Sequence, residues 1–498
     1  MLTYDMTQRG SHSLYEYLYL CIRHDIAHGT IAPHEKLPSK RALADHLGIS
    51  VITVEAAYSQ LVAEGYVLTE PRRGYFACEL APALQAKEVT HQESRCAAVT
   101  KNYGRDAGES RQRGIPLLAD FTMQATETDL FPYDAWAKTM RRTLAEESAA
   151  SLVSEQAPAG SWRLRRAIAH YLQGSRGMEV APERIVVGAG TQALYSYIVR
   201  LIGHDRTFAV EDPGYPYLVG TYRALGVTVK PVPLDKEGMN IEALRVSGAD
   251  IAQLMPAHQF PTGIVTSAQR RRDLLNWARE DRADRYLIED DYDGKFRFAG
   301  YPISTLYTID AADRTIYIGA LEKGLAAAFC IGYMVLPVNL ADRFDQDAEV
   351  YADTVSPLDQ VALAWFLETG AYERYINRLR VHARKVQHAF VKALRESRVG
   401  SRLFFEGLEG GMHFMMRVHC DSDCRVAPDK RERAIANEAC RHGVALMPLS
   451  DCYVSHTHTG DSAFVMNYSA LDLTRLDEIA DVIDDAIACV VGESCSQK

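Results

Sequence analysis

The sequence has few cysteines, no long apolar run and no excess of basic side chains. Its ten cysteines, spread irregularly over 498 residues, are not the framework of a disulfide-rich secreted domain and indicate reduced thiols in the cytoplasm. The longest stretch without charged or strongly polar residues is 324–338, which is too short for a transmembrane helix and better fits a buried pair of strands. The N-terminus has neither the basic nor the apolar region of a signal peptide. These absences predict a cytoplasmic protein with no membrane partner.

The charge balance argues at first against a nucleic-acid partner. The chain carries 55 basic and 65 acidic side chains, a formal net charge of -10, and phosphates repel acidic proteins. Within residues 1–80 the count is closer, with 7 basic and 9 acidic side chains. Any DNA contact by this segment must therefore depend on a few placed cations and helix ends.

Composition and length predict a soluble, multidomain α/β protein. Hydrophobic residues make up 47% and charged residues 24%, the balance of a folded chain, and the length suffices for two or three domains. Helix and hairpin signals fill residues 11–79, and a polar stretch without apolar periodicity covers 80–118. Alternating helices and apolar strands fill 119–498. We therefore predict a small N-terminal domain, a flexible linker and a large α/β domain that ends in a smaller α+β subdomain.

Apolar residues recur at helical spacing in three stretches of residues 11–79, and a β-hairpin follows them. Ser39 and Ser50 can cap the second and third helices, and Gly48 can end the second. Two short helices joined by a glycine-containing turn predict a helix-turn-helix, with strands 66–69 and 75–78 as a wing. The side chains predicted to face the core are Leu14, Leu18, Cys21, Ile22, Leu43, Leu47, Val54, Tyr58 and Leu61.

Polar and basic side chains cluster where such a fold meets DNA. The first turns of the second and third helices offer backbone N–H groups to phosphates, and the third helix of the motif enters the major groove. Two arginines at the hairpin tip could enter a minor groove or grip the backbone. The alternative is a small interaction module whose arginines are merely solvated. The predicted DNA-binding residues are Ser39, Lys40, Arg41, Ser50, Thr53, Arg72 and Arg73.

Two stretches of this domain carry a family resemblance, IAHGTIAPHEKLPSKRALADHLG at 26–48 and TVEAAYSQLVAEGY at 53–66. They resemble the winged helix-turn-helix of GntR-type regulators in continuous register, which implies binding to double-stranded operator DNA. One position departs from the family pattern. The serine that opens the recognition helix is usually followed by arginine, and here Val51 follows it, so either base reading is altered or the contact comes from elsewhere.

Beyond residue 119, short apolar strands alternate with amphipathic helices. This alternation is typical of an α/β fold with a largely parallel sheet. The predicted strands are 185–187, 207–210, 227–229, 251–255, 286–288 and 315–318, and 269–279 is one of the helices between them.

An acidic strand end carries the chemistry of the large domain. In YLIEDDY at 286–292 the period of two places Asp290 and Tyr292 on one face, and Glu289 and Asp291 on the other. This is the carboxyl end of a strand, where open α/β sheets bind their ligands. Lys323 follows another predicted strand. These groups therefore predict a ligand site at this edge of the sheet.

Pyridoxal phosphate requires such a set of groups. The lysine forms a Schiff base with the aldehyde, the carboxylate keeps the pyridine nitrogen protonated, and the phenol can bond the ring's O3′. Tyr215 could stack on the ring, and Gly190, Thr191 and Gln192 open a helix whose N–H groups suit a phosphate. The acids could alternatively hold Mg²⁺, but no phosphate-binding lysine motif accompanies them.

Outside the acidic strand end, the sequence predicts no metal site. Cys420 and Cys424 with His413 and His419 are the nearest candidates, but their spacing is not that of a zinc-ribbon pair.

Residues 119 to about 487 resemble a fold-type I aminotransferase, and the chain as a whole resembles MocR-type regulators, which fuse that fold to a GntR head. The resemblance implies that Lys323 is the Schiff-base lysine, that Asp290 faces the pyridine nitrogen and that Tyr292 faces O3′. It also implies a head-to-tail homodimer. The stretches that carry it are MPAHQFPTG at 255–263, RRRDLLNWA at 270–278, EDDYD at 289–293 and GALEKGLA at 319–326.

Three positions depart from the aminotransferase pattern. Serine or threonine usually precedes the lysine and arginine follows it after seven residues, and both grip the phosphate; here these positions are Glu322 and Cys330. The arginine that holds the substrate carboxylate is replaced by Val465 in our alignment. Loss of a charge-assisted contact typically costs about 1.5–3 kcal/mol, so both anion-binding sites are weakened.

The sequence therefore predicts a DNA-binding transcriptional regulator whose aminotransferase-like domain senses pyridoxal phosphate, a small amine or an amino-acid-like effector, without physiological transaminase activity. Two alternatives stay open. One is an active aminotransferase with an added head, and the other is a regulator that has lost the cofactor and senses another ligand.

Overall fold

The computed structural model describes residues 2–6, 9, 13–64, 66–70, 73–78, 117–122, 130–154, 156–280, 285–298, 304–321, 329–420, 426–454, 460–469 and 471–496. The chain divides into two compact units, Met1–Tyr103 and Gly104–Lys498. The division falls within the predicted linker 80–118, most of which lies outside the described residues. Among the described helices, none is both long and apolar enough to cross a membrane.

The N-terminal unit consists of three helices and a two-stranded antiparallel hairpin. Most of the predicted inward positions are fully buried, including Leu18, Leu43 and Val54. The hairpin pairs Val67 with Ala77 and Glu70 with Gly74, so each strand lies one residue nearer the turn than predicted. Its elements are α1 (Leu14–Ala27), α2 (Lys40–Leu47), α3 (Val51–Ala63), β1 (Val67–Glu70) and β2 (Gly74–Ala77).

The helix-turn-helix geometry follows from local capping. The Ser39 side chain accepts the backbone N–H of Ala42, and that of Ser50 accepts the N–H of Thr53. Gly48 ends α2 in the left-handed conformation at φ 66°, which a residue with a Cβ adopts only at a cost. These caps fix where α2 ends and where α3 begins, as the sequence predicts.

The second unit is built on one large, largely parallel sheet. Its strand order is β4-β11-β10-β9-β8-β5-β6-β7, and β11 is antiparallel to both of its neighbours. The six predicted strands are all present. Strand β11 lies within the apolar run 324–338, where the sequence predicts buried strands. The strands are β4 (Ile185–Ala189), β5 (Thr207–Asp212), β6 (Thr228–Asp235), β7 (Gly238–Met239), β8 (Ile251–Leu254), β9 (Tyr286–Asp291), β10 (Thr315–Ala320) and β11 (Ile331–Val335).

Helices cover this sheet, and a short strand, β3 (Ala119–Asp120), pairs in parallel with a strand from the C-terminal part of the unit. The helix between β8 and β9 spans one residue more than predicted. These helices are α4 (Tyr133–Glu146), α5 (Ala149–Val153), α6 (Trp162–Arg176), α7 (Gly190–Ile202), α8 (Pro216–Ala224), α9 (Ile241–Ser247), α10 (Ala268–Arg279), α11 (Leu306–Ile309) and α12 (Val338–Gln346).

The C-terminal part forms the smaller α+β subdomain that the sequence predicts. A four-stranded sheet of order β12-β13-β16-β15 packs with the last helices, and β14 pairs with β3. Its elements are α13 (Pro357–Glu368), α14 (Ala371–Glu396), β12 (Leu403–Glu406), β13 (His413–Val418), α15 (Pro428–Arg441), β14 (Val444–Ala445), β15 (Met447–Pro448), β16 (Ser462–Asn467) and α16 (Leu476–Ser496).

The loops at the carboxyl ends of the parallel strands contact this smaller subdomain. The backbone N–H of Gly214, after β5, donates to the carbonyl of Cys452 at 3.0 Å. The Asp212 carboxylate accepts the N–H of Val454 at 2.9 Å. The sequence motifs of the large domain therefore lie at the junction between the two subdomains.

Candidate functional site

The N-terminal unit presents the start of α3 at its surface. Ser50 is exposed and Thr53 half-buried, and their side-chain oxygens lie 2.8 Å apart. Val51 and Ile52 beside them are 38% and 77% exposed. In a helix-turn-helix this end of the recognition helix meets the base edges. The surface that the start of α3 offers to DNA therefore includes apolar as well as polar side chains.

The predicted DNA-binding cations differ in their surroundings. Lys40 forms an ion pair with Glu55 of α3, and Arg73 forms one with Glu70 across the hairpin turn. Arg41 is exposed in the first turn of α2 and makes no ion pair with any residue that the structure describes. Among the predicted cations that the structure describes, Arg41 is therefore the most available to a phosphate. Arg72 lies outside the described residues.

In the second unit, β9 sends its acidic residues in alternate directions, as predicted. Asp290 is 3% exposed and accepts a hydrogen bond from the Tyr195 hydroxyl of α7 at 2.6 Å. On the opposite face, Asp291 accepts the Tyr317 hydroxyl at 2.6 Å and pairs with Arg176. Asp290 alone of these two acids therefore faces the helix that begins at Gly190.

Glu289 has a structural role on that opposite face. Its carboxylate accepts the backbone N–H groups of Leu306 and Tyr307 at 3.0 Å each, at the start of α11. Burial raises its pKa to about 7. The Glu289 carboxylate therefore stabilises the start of α11.

Buried tyrosines surround the Asp290 carboxylate. Tyr195 and Tyr222 have ring centroids 5.7 Å apart, and Tyr222 donates to the side-chain oxygen of Gln253. Burial, together with the charge of Asp290, raises the pKa of both phenols well above its ordinary value. Both tyrosines therefore stay neutral donors. No pattern in the sequence points to Tyr195, because 95 residues separate it from Asp290.

Tyr292 and Tyr215 meet through Phe260 of the HQFPTG motif. The Tyr215–Phe260 ring centroids are 5.9 Å apart and the Phe260–Tyr292 centroids 6.4 Å, both edge-on. Tyr292 is buried, whereas Tyr215 is 37% exposed at the N-cap of α8. The fold thus brings together two of the predicted cofactor residues.

The predicted phosphate cradle is a helix start, as expected. Gly190 begins α7 with φ +75° and is buried, and Thr191 and Gln192 follow in the first turn. The α7 helix also carries Tyr195, so its first two turns approach the Asp290 carboxylate.

Lys323 and Glu322 lie outside the described residues. Cys330 is exposed.

A buried acid supports the loop that carries Tyr215. Glu211, at the end of β5, accepts the backbone N–H of Met255 at 3.1 Å and the side-chain amide of Gln259 at 3.4 Å. Gln259 also donates to the carbonyl of Pro213 at 2.9 Å. Burial raises the pKa of Glu211 to about 8. The Gln259 side chain thus ties the loop after β8 to the loop after β5.

The position of Val465 is apolar and closed. Its strand, β16, pairs it with Met415 and with Met447, and its side chain is fully buried. It shares one hydrophobic cluster with Tyr292 and Phe260. Hydrocarbon and thioether groups therefore surround the position at which the sequence predicts the loss of the carboxylate-binding arginine.

Comparisons with known proteins agree with this architecture. Residues 14–76 match the family of bacterial regulatory proteins, gntR family, and residues 122–483 match the family aminotransferase class I and II. The fold and its two parts define a helix-turn-helix transcriptional regulator with an aminotransferase-like domain.

Individual relatives specify the family further. The HTH-type transcriptional regulator YhdI of Bacillus subtilis is 32% identical over 91% of both chains. The probable rhizopine catabolism regulatory protein MocR of Rhizobium meliloti is 30% identical over 81% of both. Pyrococcus horikoshii kynurenine aminotransferase superposes with a TM-score of 0.67 at 21% identity, covering 80% of this chain and 98% of that one, which shows the shared fold. The chain belongs to the MocR-type regulators of the GntR family.

Proposed function

We propose that this regulator uses its aminotransferase-like domain to bind pyridoxal phosphate and to sense a small amine or amino-acid-like effector, without acting as an aminotransferase. One observation carries the proposal. The hydrophobic cluster that contains Tyr292, the residue just after β9, also contains Val465, the position that matches the carboxylate-binding arginine of the enzymes in our alignment. Such a site retains its means of binding the cofactor and lacks the means to orient an α-amino acid for turnover.

The described residues fit the cofactor. Asp290 would hold the pyridine nitrogen, Tyr292 the O3′ oxygen, Tyr215 the ring face, and the N–H groups at Gly190, Thr191 and Gln192 the phosphate. Lys323 would supply the amine. When bound, pyridoxal phosphate supplies an aldehyde that condenses with primary amines and a ring that accepts electron density. Tyr195 supports this set, because its hydrogen bond favours the ionised form of Asp290.

The phosphate is held less firmly than in an enzyme of this fold. Cys330 is exposed and contributes no charge, so the cradle depends on the start of α7. Removal of a charge-assisted contact costs about 1.5–3 kcal/mol, which corresponds to roughly a 10- to 100-fold loss of affinity. We therefore expect reversible cofactor binding, which suits a sensor of its concentration.

DNA binding in this proposal depends on two heads acting together. The N-terminal unit has few cations for the phosphates, and two of them are occupied by internal ion pairs. A head-to-tail homodimer would double the contacts and match a two-part operator. The effector acts by binding one arrangement of the dimer more tightly than another.

Cofactor titration of the full-length protein tests this proposal. Wild type should develop the absorption band of lysine-bound pyridoxal phosphate, and Lys323→Ala should lose it. Lys385→Ala, which changes an exposed lysine of α14, is the matched control and should keep it. Absence of the band and of any affinity in wild type favours the regulator that senses another ligand. Steady transamination of an amino acid and keto acid pair favours the aminotransferase.

A further inference from the structure

A cavity of about 390 Å³ lies between the large sheet and the smaller subdomain. Its wall is formed by the loop after β8, the loop after β9 and the glycine-rich loop between β12 and β13, which contribute His258, Asp293 and Gly411 among other residues. Among the described residues that line it, none is predicted to bind DNA or pyridoxal phosphate.

Two residues of this wall, His258 and Asp293, converge with the buried His413. His258 comes from the loop after β8, Asp293 from the loop after β9, and His413 from the first position of β13. One potential ligand atom of each lies within 4.8 Å of those of the other two. The His413 Nδ1 and Asp293 Oδ2 atoms are 3.7 Å apart, and the two imidazole centroids are 4.8 Å apart.

The cluster has bonding capacity that the protein does not use. The Nε2 atoms of His258 and His413 and the Oδ1 atom of Asp293 are buried and have no hydrogen-bond partner among the described residues. Buried polar atoms in folded proteins are nearly always bonded, and each exception calls for a further partner such as water or an ion. Three exceptions within one buried cluster indicate a ligand site.

Gly411 lets the glycine-rich loop pack directly against the cluster. A Cβ at this position would lie 2.2 Å from His258 Nε2 and 3.1 Å from Asp293 Oδ2. The residue also adopts φ +78°, which favours glycine. Only glycine therefore allows the backbone of this loop to lie against His258 Nε2 and Asp293 Oδ2.

We infer that His258, Asp293 and His413 bind a divalent transition-metal ion, with zinc as the first candidate. Two imidazoles and one carboxylate are a donor set that zinc uses when a fourth position stays open for water or another ligand. Magnesium and calcium prefer oxygen ligands alone. Zinc bonds are about 2.0–2.2 Å long, so the three ligand atoms must draw closer together when the ion binds.

The surroundings orient the ligands as a metal site requires. Asp293 Oδ2 accepts the backbone N–H of Met412 at 2.8 Å, and such outer bonds fix the position of a ligating carboxylate. His413 lies on the small-subdomain sheet, whereas His258 and Asp293 lie on large-domain loops. A bound metal would therefore hold the two subdomains together, next to Tyr292, whose hydroxyl lies 3.4 Å from His413 Nδ1.

Metal titration of the full-length protein tests the inference and does not depend on pyridoxal phosphate. After treatment with a chelator, Zn²⁺ alone should bind at one calorimetric site per chain, and Co²⁺ alone should give the visible bands of a low-symmetry nitrogen and oxygen site. His258→Ala and Asp293→Asn should each reduce affinity at least tenfold. The control is His24→Ala with His28→Ala, which removes an exposed imidazole pair at the C-terminal end of α1, with centroids 4.0 Å apart, and which should leave the tight site intact.

Other results would contradict the inference. The inference is wrong if wild type does not bind Zn²⁺. It is also wrong if binding is lost in the His24 and His28 variant and kept in the cluster variants. If circular dichroism shows that the cluster variants do not fold, X-ray absorption spectra of the zinc-loaded wild type identify the metal ligands instead. Two imidazole ligands with oxygen support the site, whereas sulfur ligands or a shell of oxygen alone refute it.

Discussion

The hydroxyl of Tyr195 donates a hydrogen bond to the buried carboxylate of Asp290 at 2.6 Å. The bond joins the second turn of α7 to the end of β9, so the helix that offers its N-terminus to a phosphate also stabilises the acid expected to face a pyridine nitrogen. One contact therefore couples the two ends of the proposed cofactor site.

Replacing this tyrosine measures the contact. Tyr195→Phe should lower the free energy of unfolding by about 1.5–3 kcal/mol, because a hydrogen bond to a charged, buried acceptor is lost. Tyr197→Phe on the same helix is the control, since its hydroxyl donates to the neutral carbonyl of Ala352 at 2.8 Å, and should cost about 1 kcal/mol. Thermal and denaturant unfolding of both variants give the comparison. Equal losses would show that the Asp290 charge does not strengthen the bond.

A second prediction compares how much two cations of the N-terminal unit, Arg41 and Lys40, contribute to DNA binding. Arg41→Ala should weaken binding to the DNA upstream of the protein's own gene and reduce the salt slope by about one, because Arg41 is exposed in the first turn of α2. Lys40→Ala should change the slope less, since Lys40 already pairs with Glu55. Fluorescence anisotropy at several salt concentrations measures both slopes. A larger effect at Lys40 would mean that its ion pair opens on DNA.

A third prediction concerns pH. Burial raises the pKa of Glu211 from 4.5 to about 8, so the folded state binds a proton there that the unfolded state has released. This proton stabilises the fold below pH 4.5, and its contribution is lost as the pH rises toward 8. Glu211→Gln keeps an amide oxygen for the Met255 N–H and has no such loss. Its Tm should therefore rise relative to wild type between pH 5 and pH 8.

The same pH series needs a control on the surface. Glu349→Gln changes an exposed glutamate and should leave the difference from wild type constant across the range. A Glu211→Gln curve that runs parallel to wild type would instead mean that Glu211 is ionised in the folded protein at all these pH values.

A fourth prediction restores a cation near the proposed phosphate site. Cys330→Arg should tighten pyridoxal phosphate binding about 10- to 100-fold, the value of a charge-assisted contact of about 1.5–3 kcal/mol. Cys489→Arg, which adds the same charge at an exposed cysteine of α16, should leave affinity unchanged. Cofactor titration followed by absorbance measures both. Equal affinities in the two variants would place Cys330 away from the phosphate.

The sequence predicts best those features of the fold that depend on interactions between neighbouring residues. The caps at Ser39 and Ser50 and the turn at Gly48 each depend on a few neighbouring residues, and all appear where expected. The alternation along β9 likewise follows from a period of two, so Asp290 and Asp291 face opposite ways. These features need no knowledge of the tertiary structure.

Features that depend on distant partners could not be predicted. Tyr195 lies 95 residues from Asp290, and His258 and His413 come from different subdomains. The ion pair of Lys40 with Glu55 depends on how α2 packs on α3, which a pattern of charges does not specify. No spacing in the sequence marks these pairs, because the fold alone creates them.

The exposed apolar start of α3 bears on which sequences the head can read. Ile52 is 77% exposed, and no charged group can use that position to bond guanine or adenine. The apolar feature of the major groove is the C5-methyl group of thymine. Operator positions opposite Ile52 are therefore expected to be thymines, and replacing them by uracil, which lacks only that methyl, should weaken binding there.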